Sequence, residues 1–365
     1  PRFKYRGIHL DISRNYYGPN KIKQLLDFMH YFKLNKFHLN ITDDEGWRIE
    51  IPGLPELTDI GSKRGYTVDE RDHLNPAYGS GSKINELYGS GYLERSEFIE
   101  IIKYANKRNI EIIPEINFPA HSRAAVKAME SRYFKYLELN DTTKAEEYLL
   151  SDLNDKSRYI SAQGYNDNVI SICKESSFKF FEKVIDELSF MFDDAGVKLK
   201  NFHLGGDELP YGAWLGSPIC QEFVDVNNTI TFNNLVENAF RRIIELLNDR
   251  NINVGGWEDV LLVHGKEGQN SIDINRNFDG IKFTPYVWNN YWGGGREDMV
   301  YKFANLGYNV IMSNSSAFYF DMTDDLDPEN YGLSWSGYVN YKDAWLTEPI
   351  NVYSKTYLES DFKKY

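Results

Sequence analysis

Residues 7–32, GIHLDISRNYYGPNKIKQLLDFMHYF, decide the fold. Gly7 to Ile12 reads as a short strand, and Ile22, Leu25, Leu26, Met29 and Phe32 then recur at the three- and four-residue spacing of an amphipathic helix. The same strand-then-helix beat continues along the chain. Strands are predicted at Lys36–Ile41, Glu111–Ile116, Asn201–Gly205, Ile252–Gly256, Phe283–Trp288 and Asn309–Ser313. Between them, helices are predicted at Ser96–Lys107, over Phe178, Phe181, Val184, Ile185 and Leu188 with Gly196 as a left-handed stop, and around 232–248 and 296–306. Seven such units imply a parallel α/β sheet, and their number suits a (β/α)8 TIM barrel better than a doubly wound sheet. No low-complexity tract or Gly/Ser linker interrupts the pattern, so 1–365 is read as a single domain.

Composition narrows the function. A formal charge of -13 leaves no basic face for phosphates, which excludes a nucleic-acid partner and favours a neutral substrate. No apolar run approaches the length of a membrane span. Aromatic residues make up 15% of the chain, and several Trp and Tyr lie beside glycines or carboxylates, as they do on sugar-stacking platforms. Cys173 and Cys220 are the only cysteines, too few for a disulfide scaffold but enough for one bridge or two thiols. The opening Pro1-Arg2-Phe3-Lys4-Tyr5 has no initiator Met and no signal peptide, so an excised or processed segment is expected.

Barrel enzymes gather their chemistry at the C-terminal ends of the strands. Those ends carry Asp11, Asp43 with Asp44, Asn117 with His121, Asp207 with Glu208, Trp257, Trp288, and Tyr319 with Asp321. The strongest local signal is His203-Leu204-Gly205-Gly206-Asp207-Glu208. Neighbouring side chains on a strand point to opposite faces, so Asp207 and Glu208 share one site only if the backbone turns, and two glycines permit that turn. Two carboxyls crowded into a dry pocket are expected to leave one protonated and one ionised, a combination suited to glycoside cleavage.

His203-X-Gly-Gly-Asp-Glu208, together with Arg6-Gly-Ile-His-Leu-Asp-Ile-Ser-Arg14, Leu39-Asn-Ile-Thr-Asp-Asp-Glu-Gly-Trp-Arg48 and Pro119-Ala-His-Ser-Arg123, resembles the bacterial chitobiase branch of the family 20 glycoside hydrolases. The resemblance runs from Tyr5 to about Tyr341 and implies an exo-acting, retaining β-N-acetylhexosaminidase that removes terminal N-acetyl-β-D-hexosamine residues from chitin oligosaccharides or glycans. It makes Glu208 the general acid, and Asp207 the partner of the substrate's 2-acetamido group, whose carbonyl oxygen is the nucleophile. It places Tyr319, Trp257 and Trp288 around the acetamido group, Arg6 and Asp321 on ring hydroxyls, Trp335 under the next sugar, and Asp44 with His121 behind the acid. It also implies a Cys173–Cys220 bridge and an exported protein, whether periplasmic, cell-surface or secreted.

Two departures stand out. Asn117 occupies a position where relatives usually carry Asp, and the chain stops at Tyr365 before the Trp- and Glu-bearing eighth strand, so the barrel is expected to be incomplete at its C-terminal end. No zinc-protease, phosphate-loop or Gly-X-Ser-X-Gly pattern is present, and neither cofactor nor metal is expected. The competing reading is a non-catalytic carbohydrate-binding relative.

Overall fold

Alternation within the strands builds a sheet with one apolar and one polar face. A computed structural model of the chain describes residues 2–84, 88–225, 231–263, 272–291 and 293–349. The stretch from position 350 to 365 lies outside these residues. Strands β1 (Gly7–Asp11), β2 (Lys36–Asn40), β3 (Glu111–Glu115) and β4 (Asn201–His203) match the predicted ones to within two residues. They pair in parallel, with Ile8 opposite Phe37, His9 opposite His38, Asn40 opposite Glu115, and Glu115 opposite His203. Ile8, Leu10, Phe37, Leu39, Ile112 and Pro114 therefore share one face, while His9, Asp11, His38, Asn40, Glu115 and His203 share the other.

Helices follow the strands where periodicity places them. Pro19–Tyr31 starts on a proline whose missing N–H has no intrahelical partner to lose. Arg95–Asn106 opens with a capping box between Glu94 and Glu97, and Phe232–Asp249 opens with one between Thr231 and Asn234. Glu175–Asp194 buries Phe178, Phe180, Phe181, Val184, Ile185 and Leu188 along one stripe. Gly196 ends it at φ 73°, the left-handed conformation expected from the sequence. The segment after β3 forms a helix over Arg123–Glu138. An antiparallel hairpin, Thr42–Asp43 with Gly46–Trp47, also escapes the sequence pattern because its strands are too short to show periodicity.

The chain groups into two compact units, Pro1–Val254 and Gly255–Tyr365. In the first, the strands run β1-β2-β3-β4, and the amide of Asn253 donates to Lys200 O at 2.8 Å, bringing in the start of β5 (Asn253–Trp257). In the second, the rest of β5 pairs in parallel with β6 (Thr284–Val287), which pairs with β7 (Ile311–Met312). All seven predicted strands are present, and the strand pairs within each unit are parallel, as in barrel proteins.

The first unit's core is aromatic. Phe118 lies edge-on to Phe181 at 5.0 Å and to Phe240 at 6.1 Å, joining the segment after β3 to two helices. Phe181 is wholly buried. Replacing it by Ala is expected to cost about 3–5 kcal/mol, through lost transfer energy and the cavity left behind. Urea unfolding of Phe181→Ala checks this, and a loss below about 1 kcal/mol would show that the ring is not central to the core.

Candidate active site

The strand ends of the first unit bring four acids to one imidazole. After β4 the backbone reverses, with Gly205 at φ 69°, Gly206 at φ 92° and Glu208 at φ 48°. A Cβ on Gly205 would come within 2.0 Å of Asn117 Oδ1, so only glycine allows the two loops this close. The turn aims Asp207 and Glu208 at the same atom. Their carboxylates lie 3.5 and 3.4 Å from His121 Nε2, the convergence that the adjacent acids demand. On the other side of the ring, Nδ1 lies 3.2 Å from Asp43 Oδ1 and 3.5 Å from Asp44 Oδ2. The hairpin supplies this second pair, since Asp43 ends its first strand and Asp44 begins its turn. His121 holds φ 53°, a conformation costly to a non-glycine residue, against four carboxylates.

Three of the four acids are also held from behind. Asp43 accepts from Asn40 Nδ2 at 3.1 Å and from the Asp44 amide at 2.8 Å. Asp44 accepts from Asn168 Nδ2 at 3.0 Å and from the Arg123 amide at 3.1 Å. Glu208 Oε2 accepts from Gln163 Nε2 at 2.9 Å. Asn117 donates to Thr42 O at 2.7 Å and bridges toward Asp43 and Asn40 at 3.4 Å, so the residue that departs from the expected Asp ties the hairpin to β3 without adding a charge.

The charges order themselves around the ring. Burial disfavours an imidazolium, but Asp207 and Asp43 outweigh it and hold His121 well above its ordinary value. Burial pushes the Glu208 carboxyl up, yet His121 and Gln163 prevail and hold it below the ordinary carboxylate value. The shared proton therefore rests on His121, whereas the sequence led us to expect it on one of the paired acids. A buried cation between the acids removes the repulsion on which that expectation rested. Glu45, beside this group, behaves in the opposite way: burial drives its carboxyl up to about 8.

The first strand separates two arginines of one motif. Arg6 lies at the N-terminal end of β1, where its guanidinium donates to Lys33 O at 2.9 Å and Phe3 O at 2.7 Å. Asp11, at the other end, is five residues away, about 17 Å of strand, so Arg6 does not reach the acids. Arg14, in the same motif, does. It contacts Asp11 at 2.5 Å and Asp43 at 3.1 Å, with Glu45 at 3.7 Å. Arg14 and Asp43 are thus site residues that the sequence reading quoted without assigning. Gln163 had no signal, since it arrives from an irregular insertion.

The second unit carries an aromatic group of its own. Trp335 meets Trp288 edge-on at 5.7 Å and Tyr319 at 5.9 Å, while Trp257 packs on Tyr286 at 6.2 Å. Trp288 is anchored twice: its indole Nε1 donates to Asp259 Oδ2 at 2.9 Å and its amide to Glu258 Oε2 at 2.6 Å. Arg296 donates to Asp259 Oδ1 at 2.9 Å and completes the support. Asp321 is exposed, and its backbone carbonyl accepts from the Leu333 amide. The expected bridge is present, with Cys173 bonded to Cys220 and Cα atoms 5.3 Å apart.

Known proteins resemble this chain along most of its length. The model of the glycosyl hydrolase family 20 catalytic domain matches residues 3–363. A beta-hexosaminidase of Vibrio vulnificus is 42% identical over 96% of this chain and 41% of its own length. The N,N'-diacetylchitobiase of Vibrio harveyi is 37% identical over 92% of this chain and 40% of its own. The chain thus spans about two fifths of the length of these relatives. A crystal structure of a GH20 exo beta-N-acetylglucosaminidase from Vibrio harveyi in complex with N-acetylglucosamine superposes with a TM-score of 0.77 at 31% identity, covering all of this chain and 49% of that one.

The charge order around His121 has a pH signature. His121 is raised when folded, so its contribution to stability is complete below about pH 6.5 and fades as pH rises through the folded value. Glu208 and Asp43 are depressed, so theirs is present above the ordinary carboxylate range and fades as pH falls. His121→Asn is expected to abolish the alkaline fade and move the acid fade to higher pH, as read from thermal unfolding across pH. An alkaline arm identical to wild type would show that the imidazole is not the charged group.

Proposed function

Because the chain belongs to glycosyl hydrolase family 20, we propose that it is the catalytic portion of an exo-acting, retaining β-N-acetylhexosaminidase. The observation that carries this reading is the convergence of Asp207 and Glu208 on one face of His121. One acid delivers a proton, the other stays charged, and no further side-chain nucleophile is required.

In the proposed reaction, the carbonyl oxygen of the substrate's 2-acetamido group attacks the anomeric carbon as the glycosidic bond breaks. Asp207 accepts from the acetamido N–H and stabilises the positive charge that develops as the oxazolinium ring closes. Glu208 protonates the leaving oxygen. In the unliganded cluster that proton rests on His121, whose Nε2 lies 3.4 Å from Glu208 Oε2. A sugar ring covering the part-exposed Glu208 excludes water, strengthens the burial effect that already opposes ionisation, and shifts the proton to the carboxyl. Asp43 and Asp44 orient the imidazole through Nδ1 during the transfer. Water then opens the oxazolinium with Glu208 as base, and two inversions at the same carbon give net retention.

Arg14, a cation held among Asp11, Asp43 and Glu45 at the end of β1, is the group we assign to sugar hydroxyls in place of Arg6. In the second unit, the exposed Trp335, packed edge-on against Trp288 and Tyr319, is the ring we assign to the apolar C–H surface of a pyranose. The relatives' names and the N-acetylglucosamine in the Vibrio harveyi structure support a terminal N-acetylglucosaminide as substrate. The Cys173–Cys220 bridge supports an oxidising, extracytoplasmic setting.

The chain is expected to release 4-nitrophenol from its N-acetyl-β-glucosaminide and not from the β-glucoside, which lacks the internal nucleophile. Asp207→Asn should lower kcat by about 10²–10³ with little change in KM, because its interaction strengthens only as charge develops. Near-normal turnover by Asp207→Asn, or equal rates on both glycosides, would refute the substrate-assisted route. Binding of N-acetylglucosamine without hydrolysis would favour a carbohydrate-binding relative.

A further inference from the structure

The polar face of the first unit's sheet carries a second cluster, one step nearer the N-terminal ends of the strands than the acids around His121. His9 and His38 occupy one row of the register and Glu115 with His203 the next, where Glu115 lies opposite Asn40, so the four make a two-row layer on this face. His9 and His38 are direct register partners on β1 and β2. Their Nε2 atoms approach the same oxygen, Glu115 Oε2, at 3.3 and 2.7 Å. The three atoms lie within 4.8 Å of one another. His203 Nδ1 meets the other oxygen, Oε1, at 3.1 Å, and the rings of His9, His38 and His203 follow one another at 4.4 and 4.3 Å.

We propose that this layer is a binding site for one divalent transition-metal ion, with zinc as the best match, coordinated by His9 Nε2, His38 Nε2 and Glu115 Oε2. Two imidazoles and one carboxylate form a donor set that such ions accept readily. Ligand bonds of about 2.0–2.2 Å at tetrahedral or right angles separate donor atoms by roughly 2.9–3.4 Å. The observed 2.7 and 3.3 Å need only small side-chain adjustments to admit an ion. His203, gripping the second carboxylate oxygen, fixes the direction in which Oε2 points, as outer partners do at metal sites. Access is available: the side chain of His9 is 38% exposed, whereas His38 and Glu115 are buried. An ion here would cross-link β1, β2 and β3 beneath the hydrolytic residues, a structural role that does not depend on the proposed activity.

The ligands come from three strands at positions 9, 38 and 115, so no short motif announces them. The whole chain, stripped with a chelator and titrated with zinc sulfate by calorimetry, tests the proposal. One zinc per chain is expected, with a rise in the thermal midpoint. His9→Phe keeps a ring against His38 at a partly exposed position, so it should fold and yet lose at least about tenfold in affinity together with the thermal shift. Glu115→Gln should lose binding as well, while His121→Asn, which alters the other His-carboxylate cluster, should leave it intact. No bound zinc, unchanged affinity in folded His9→Phe, or loss of binding in His121→Asn would each overturn the assignment.

Discussion

The first unit's active cluster depends on one imidazole shared between two carboxylate pairs. His121 faces Asp43 and Asp44 through Nδ1, and Asp207 and Glu208 through Nε2. Four acids this close would repel one another strongly in a low-dielectric setting. A buried imidazolium converts the repulsion into attraction and keeps Glu208 ionised until something displaces water from it. The same ring draws the two acid pairs together and carries the proton they share.

Placing that ring requires three backbone events at once. The chain after β4 reverses through two left-handed glycines, the segment after β3 carries His121 at φ 53°, and the hairpin after β2 delivers two adjacent acids. Asn117 links all three: its side chain bonds the hairpin and fills the space that a Cβ on Gly205 would occupy. An Asp at this position would place a further negative charge beside Asp43. The amide keeps the geometry and leaves the cluster's balance to Arg14 and His121.

Much of this was legible in order along the chain. The seven strands appear in the apolar runs because burial on one face imposes a two-residue period, and the main helices because their stripes recur at three and four residues. The turn after Gly205 was legible because adjacent acids on a straight strand cannot share a site. The hairpin was hidden because its strands are two residues long. A motif shows which residues travel together but not which of its arginines turns back among the acids. Five residues of strand separate Arg6 from the acids, while Arg14, just past the strand, turns back among them.

The sequence by itself determined the parallel α/β architecture, which follows from period and order, and its motifs pointed to the family and to Asp207 and Glu208 as neighbours in one site. Only the tertiary structure decided where the proton rests, which arginine reaches the acids, and that three histidines and a glutamate from four strands meet on one face of the sheet. These are properties of distance and burial across residues far apart in the chain, and electrostatic energy in a buried site is set by that spacing.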